Sequence, residues 1–203
     1  MAMKDNREYR NMELRIAQPE GESEEQRYIV EGYASTYDSY KLFTDDDGTE
    51  YFERIEPTAF NGADLTDVVF RVDHEGRVYA RTSAGTLSVW MDEHGLANRT
   101  DLSKTQAARE LFADIEAGNY PKMSFAFTVA EDHYDKATHT RVIDRIAKVF
   151  DVSPVSFPAN PTTELSVSTR DYFNGVIEAE RAERLDREKR EAHKAKIRLL
   201  MEV

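Results

Sequence analysis

Apolar and polar residues alternate in short runs along most of the chain, and the spacing changes from strand-like to helix-like and back. "YIVEGYASTY" (residues 28–37) mixes β-branched and aromatic residues and predicts a first strand. In "DSYKLFTDDDGTEYFERI" the "DDDG" segment is a turn signal between two strand-like pieces, and "EPTAF" opens a short helical or irregular stretch. "VVFRV" (68–72) predicts another strand, ending at "DHEGR". "VYARTSAGTLSVWMDEHGLANRTDL" alternates well enough for two or three more, punctuated by Gly85 and Gly95. Residues 103–118 then take helical spacing, with Ala107, Ala108, Leu111, Phe112 and Ile115 on one face. Ser103 and Gln106 read as a capping box and Gly118 as the C-terminal cap. "MSFAFTV" returns to a period of two, with Met123, Phe125, Phe127 and Val129 on one face and Ser124, Ala126 and Thr128 on the other. "DHYDKATHT" reads as a polar connection. "RVIDRIAKVFDVSPVSF" supplies one or two more strands, the last limited by Pro154 to an edge or a bulge.

The two ends differ from this middle. Residues 1–27 are polar, and "QPEGESEEQR" has neither periodicity nor enough apolar surface to fold alone, so a polar N-terminal tail is expected. "VIEAERAERLDREKREAHKAKIRLL" is rich in helix formers with many opposite charges at i, i+3 and i, i+4, which predicts a long exposed helix over 171–203. The domain proper is expected over residues 28–170. Its class is α+β: a strand-rich, barrel-like body with one internal helix, followed by a charged C-terminal helix.

Composition narrows the function. Hydrophobic residues make up 40% of the 203, enough for a core, while charged residues make up 33%. The formal net charge is −12, from 39 acidic and 27 basic residues, and such a surface repels phosphate backbones, so no nucleic-acid partner is expected. Residues 171–203 hold 8 acids and 8 bases, so the whole excess lies in residues 1–170. There is no cysteine, which excludes disulfides, zinc fingers and thiol catalysis. No apolar run approaches the ~20 residues that span a bilayer, and "MAMKDNREYR" lacks the apolar core of a signal peptide. The expectation is a soluble intracellular protein with no membrane partner.

Ser124 poses the chemical question, as a lone hydroxyl inside an apolar strand. It is either filler between two phenylalanines or a nucleophile on rigid backbone. A serine hydroxyl attacks only when a base takes its proton, so the second reading needs a histidine within hydrogen-bond reach. Of the five histidines, His193 lies in the charged tail, His133 and His139 in the polar connection, and His94 in a turn. His74 leaves the apolar strand "VVFRV" at the edge of the core, where it serves either as a base or as a strand-end residue bound to a carboxylate. Asp151 is an acid within the apolar run "VFDVSPV", where a buried carboxylate needs a partner and a histidine would supply one. A metal site from Asp73, His74, Glu75 and His94 is the competing arrangement, although no pair has the HExxH spacing of zinc hydrolases.

With these pieces in order, the chain resembles the prohead maturation proteases of tailed bacteriophages (caudoviruses). The matching segments are "VEGYAST" (30–36), "ERIEPTAF" (53–60), "VDHE" (72–75), "GLANRTDL" (95–102), "IEAGNYPKMSFAF" (115–127) and "FDVSPVSFPANP" (150–161). Thr58 stands where the family commonly has glycine, and Asp151 where it usually has glutamate. The resemblance implies a serine endopeptidase related in architecture to herpesvirus assemblin, with His74 as base, Ser124 as nucleophile and Asp151 as the third member, and no cofactor. It implies a scaffold protein or the major capsid protein as substrate, inside the procapsid in the host cytoplasm, together with self-cleavage. A non-catalytic capsid-assembly protein of the same fold, docking through its charged helix, is the alternative.

Overall fold

The computed structural model describes residues 7–16, 28–156 and 167–201. The chain divides into two units, residues 1–165 and 166–203. Among the described residues the first holds ten strands and one α-helix: β1 (Glu8–Ile16), β2 (Ile29–Thr36), β3 (Tyr40–Thr44), β4 (Glu50–Ile55), β5 (Val69–Val72), β6 (Glu75–Arg81), β7 (Leu87–Met91), β8 (Gly95–Asp101), α1 (Gln106–Glu116), β9 (Lys122–Asp135) and β10 (Thr140–Val155). The second is a single helix, α2 (Val167–Met201), which starts four residues before Asp171. It is exposed along residues 183–198.

The spine is the β9–β10 hairpin, whose strands pair antiparallel over almost their whole length. The expected polar connection is therefore mostly strand, and only residues 136–139 remain as its turn. From this spine the sheet runs in the order β3-β4-β10-β9-β1-β2-β8-β7, with β5 also on β10 and β6 on β5. The expected barrel does not close: among the described residues β3 and β7 end the order, and β6 pairs only with β5. What gives the body its curvature is β1, which changes partners midway. Its first half pairs with β9 (Glu8 across from Phe127, Glu13 from Lys122) and its second with β2 (Leu14 across from Gly32). A strand that switches sheets makes a corner, so the β2–β8–β7 arm turns over the same core as β9–β10. That core joins Val30, Ala34 and Leu96 to Phe125, Phe127, Ile143 and Val149, with Ala108, Leu111, Phe112 and Ile115 of α1 on it.

Within the expected N-terminal tail, residues 8–16 form this interior strand; residues 1–6 and 17–27 lie outside the described residues. Composition hid its start because the side chains buried there, Glu8 and Arg10, are charged. The Arg10 guanidinium donates from Nε to Glu53 Oε1 at 2.5 Å and from Nη2 to Glu53 Oε2 and Glu8 Oε2 at 2.6 and 2.8 Å. Arg141 donates from Nη1 to Glu8 Oε2 at 2.8 Å and from Nε to Asp132 Oδ2 at 2.5 Å, and Tyr40 OH donates to Glu53. Glu8, Arg10, Glu53 and Arg141 are all buried. Burial by itself would lower the Arg10 pKa, but Glu53, Tyr40 and Glu8 outweigh it and raise it well above the usual value.

The helix of residues 106–116 is where its spacing puts it, but its cap is Thr105, whose side chain accepts from Ala108 N–H at 3.1 Å. Ser103 lies two residues outside, where its carbonyl accepts from Arg109. The C-terminal end is a Schellman closure: Gly118 at φ 82° donates to Ile115 O, and Asn119 N–H to Asp114 O.

Candidate active site

His74 sits in a tight hairpin turn. Val72 pairs with Glu75, leaving Asp73 and His74 as a two-residue loop between β5 and β6. Both have left-handed backbone, at φ 48° and 60°, the pattern of primed hairpin turns. Aspartate tolerates that region and histidine does so less readily, so the loop needs support. It receives it from the end of β10. The Asp73 carboxylate accepts from Ser156 N–H at 2.9 Å and from Ser156 Oγ at 2.8 Å, and Asp73 N–H donates to Pro154 O at 3.1 Å. Arg71 Nη1 donates to His74 O at 2.7 Å. Pro154 is thus tolerated inside a central strand. Its carbonyl accepts from Asp73, beyond Asp151 and Val152 that pair with β5; the N–H of a strand residue points the same way as its carbonyl, so the missing one faces away from Met123 on β9 and costs no bond there.

Ser124 and Asp151 come from the spine. Ser124 stands across β9–β10 from Ser153, and Asp151 across from Ala126, so all four share one face of the ladder. A bulge between Val149 and Asp151 puts them there. Val149 pairs with Phe127 on the core side, Phe150 is the extra residue, and Asp151 follows on the opposite side. The Phe150 ring lies under two cations, 4.2 Å from the Arg7 guanidinium carbon and 5.6 Å from Lys148 Nζ.

The three candidates meet. His74 Nε2 is 2.7 Å from Ser124 Oγ and His74 Nδ1 is 2.6 Å from Asp151 Oδ1. A carboxylate only accepts, so the proton belongs on Nδ1 and the Nε2 lone pair faces the serine hydroxyl. The face of β9 that carries Ser124 and Ala126 is covered at the site: Ser124 is 0% and Asp151 1% exposed. The His74 side chain, 16% exposed, is the member that reaches solvent. The Tyr9 ring packs beside it, 4.4 Å between centroids and tilted by 55°.

The competing metal grouping is not assembled. His94 lies in the β7–β8 turn, its Nδ1 3.8 Å from Asp92 and 3.9 Å from Glu93, with the ring near Tyr33. Among the described residues no three histidine or acidic side chains come together to hold an ion. His133 bonds to Asp144 and His139 to Tyr134, both away from Ser124.

Against protein-family models, the chain matches the caudovirus prohead serine protease over residues 12–175. The chain belongs to that family. The match contains His74, Ser124 and Asp151, while Glu8, Tyr9 and Arg10 precede it. No curated protein and no solved structure matches. Within this prohead protease, three contributors to the site escape a reading of the sequence: Tyr9, the Asp73–Ser156 clamp and Ser153. Ser153 alone left a trace, since it follows Asp151 by two positions and so shares its face.

Proposed function

We propose that the chain is a serine endopeptidase that cleaves scaffold protein, or the scaffold-like part of the capsid protein, inside the immature phage head, and that it also cleaves itself. Ser124 Oγ attacks the peptide carbonyl carbon and its proton passes to His74 Nε2. The C–N bond of the tetrahedral intermediate then breaks as His74 returns that proton to the leaving amine, and water repeats the sequence to release the acid. Asp151 holds the imidazole with Nε2 toward Ser124 and offsets the positive charge formed on it. The observation that carries this reading is the continuous chain Ser124 Oγ–His74–Asp151, with bonds of 2.7 and 2.6 Å and a buried carboxylate at its end.

The test is co-expression with the matching capsid and scaffold proteins, beside labelling of the purified chain with a fluorophosphonate. Wild type should process the partner and carry the label on Ser124. Ser124→Ala should stop both while keeping its circular dichroism and melting curve, since the swap removes one oxygen and leaves almost no cavity. His74→Ala should lower the rate by about 10⁴-fold or more, because base and nucleophile act as a unit. Normal processing by folded Ser124→Ala refutes the reading.

A further inference from the structure

One buried hydroxyl beside the three candidates has a single acceptor. Ser153 Oγ lies 2.7 Å from Asp151 Oδ1, the same oxygen that takes the His74 Nδ1 proton at 2.6 Å. Ser153 is 0% exposed and Asp151 1%, so the carboxylate oxygen meets these two donors within protein. We propose that Ser153 is a positioning residue of the site: its hydroxyl holds the Asp151 carboxylate in the orientation that aims Oδ1 at His74. This rests on the reading of Ser124 as nucleophile.

The need follows from the torsion of aspartate. Rotation of a carboxylate about its last bond is broad and only two-fold, so Asp151 alone does not fix where Oδ1 points. A second donor on that oxygen does. Ser153 is suited to the task because it stands directly across the β9–β10 ladder from Ser124. Its hydroxyl is therefore referenced to the nucleophile through backbone pairing and not through a loop. It touches Asp151 and acts on the reaction only through it. Loss of the hydroxyl frees the carboxylate to turn and leaves one of its buried lone pairs without a donor.

The experiment measures how fast a fluorophosphonate reacts with Ser124 in the full chain, as a limiting rate and a half-saturating concentration. In this reaction the Ser124 Oγ–P bond forms, P–F breaks, fluoride leaves and the hydroxyl proton goes to His74. A hydrogen bond to a charged group corresponds to a factor of about 10 to 100 in rate. Ser153→Ala should lower the limiting rate by that factor with the half-saturating concentration unchanged. Ser153→Thr and Ser153→Val have the same shape and differ only in the hydroxyl: Thr should retain the rate within about fivefold and Val should fall with Ala. The proton resonance of His74 Nδ1–H, read by NMR, should move in Ser153→Ala and Ser153→Val. A normal limiting rate in Ala and Val overturns the proposal. Where Thr falls together with Val, the resonance in Ser153→Ala decides, and an unmoved signal overturns it. Failure of wild type to label at Ser124 refutes the nucleophile reading instead, so the two failures are separable.

Discussion

Replacing Glu53 by glutamine tests whether the buried charges hold β1, and with it Tyr9, against the site. Glu53 is 0% exposed and takes four donors: Arg10 Nε at 2.5 Å, Arg10 Nη2 at 2.6 Å, Arg141 Nη1 at 3.2 Å and the Tyr40 hydroxyl. Glutamine keeps the shape but removes the charge and turns an amide N–H₂ toward two guanidiniums, which only donate. Breaking one partner of a buried ion pair costs about 3–5 kcal/mol, most of it the penalty of the charge left behind. For a chain of this size each kcal/mol moves the midpoint by roughly 2–4 °C, so Tm should fall by about 6–20 °C. Adding Arg10→Met removes the cation that loses two charged bonds to Glu53, and the pair of changes should cost less than the sum of the two alone, by about 0.5–3 kcal/mol. The assay is urea and thermal unfolding of the four members of the cycle, with fluorophosphonate labelling of each at 20 °C below its own midpoint. A single-mutant loss under about 1 kcal/mol, the size of an exposed ion pair, would refute the claim that these charges act as a desolvated unit.

The same cluster predicts an alkaline limit. Burial, with Glu53 adding and Arg10 opposing, raises the Tyr40 hydroxyl well above its ordinary value. Its contribution is therefore complete below the unfolded pKa of about 10 and is lost as pH rises through the higher folded value. Tm should drop above about pH 10 in wild type and less steeply in Tyr40→Phe, and equal slopes would show that Tyr40 is not the group responsible. At the hairpin turn, Asp73→Ala removes two bonds to Ser156 and a residue that tolerates left-handed backbone, a cost of about 1–3 kcal/mol localised at His74. Labelling of Ser124 should slow in Asp73→Ala and recover in Asp73→Asn, which keeps an acceptor and the turn preference; equal rates in the two would refute the clamp.

How much of this is legible in the sequence depends on where apolar side chains are. β9 buries Met123, Phe125 and Phe127 at alternate positions, β2 and β5 bury the short apolar runs Ile29–Val30 and Val69–Phe70, and α1 buries apolar residues at helical spacing, so each lies close to its expected place. β1 buries Glu8 and Arg10 instead. Their partners, Glu53 and Arg141, are 43 and 133 residues away from Arg10 and Glu8 respectively. Hydrophobic periodicity carries no information about a stretch of strand that buries charges, as Glu8 and Arg10 do, and a pairing at that separation leaves no local mark. The barrel expectation went astray through the same strand. A corner made by one strand that changes partners yields two sheets over one core, and composition cannot tell that from a closed ring.

The site is legible for a different reason, and β10 shows its limit. Ile143, Ile146, Val149 and Val152 are each 0–1% exposed and recur every third residue, a spacing that belongs to neither helix nor regular strand. The pairing with β9 shows four register shifts: β10 carries an extra residue between Ile143 and Arg145, Ile146 and Lys148, and Val149 and Asp151, and β9 carries one opposite Arg145 and Ile146. The three extra residues on β10 turn its period of two into a period of three, each returning an apolar residue to the core and sending the intervening residues outward. In an unbroken strand Val149, Asp151 and Ser153 would share one face, which would put the carboxylate among the apolar side chains or the valine outside. The bulge at Phe150 separates them. It also sets Asp151 across from Val69 of β5, in parallel pairing, three residues before the strand ends and the turn begins. The carboxylate and the imidazole meet because β5 docks on the one segment of β10 whose outward residues are an acid and a serine, while Asp144, Arg145 and Lys148, outward in the earlier triplets, take other partners.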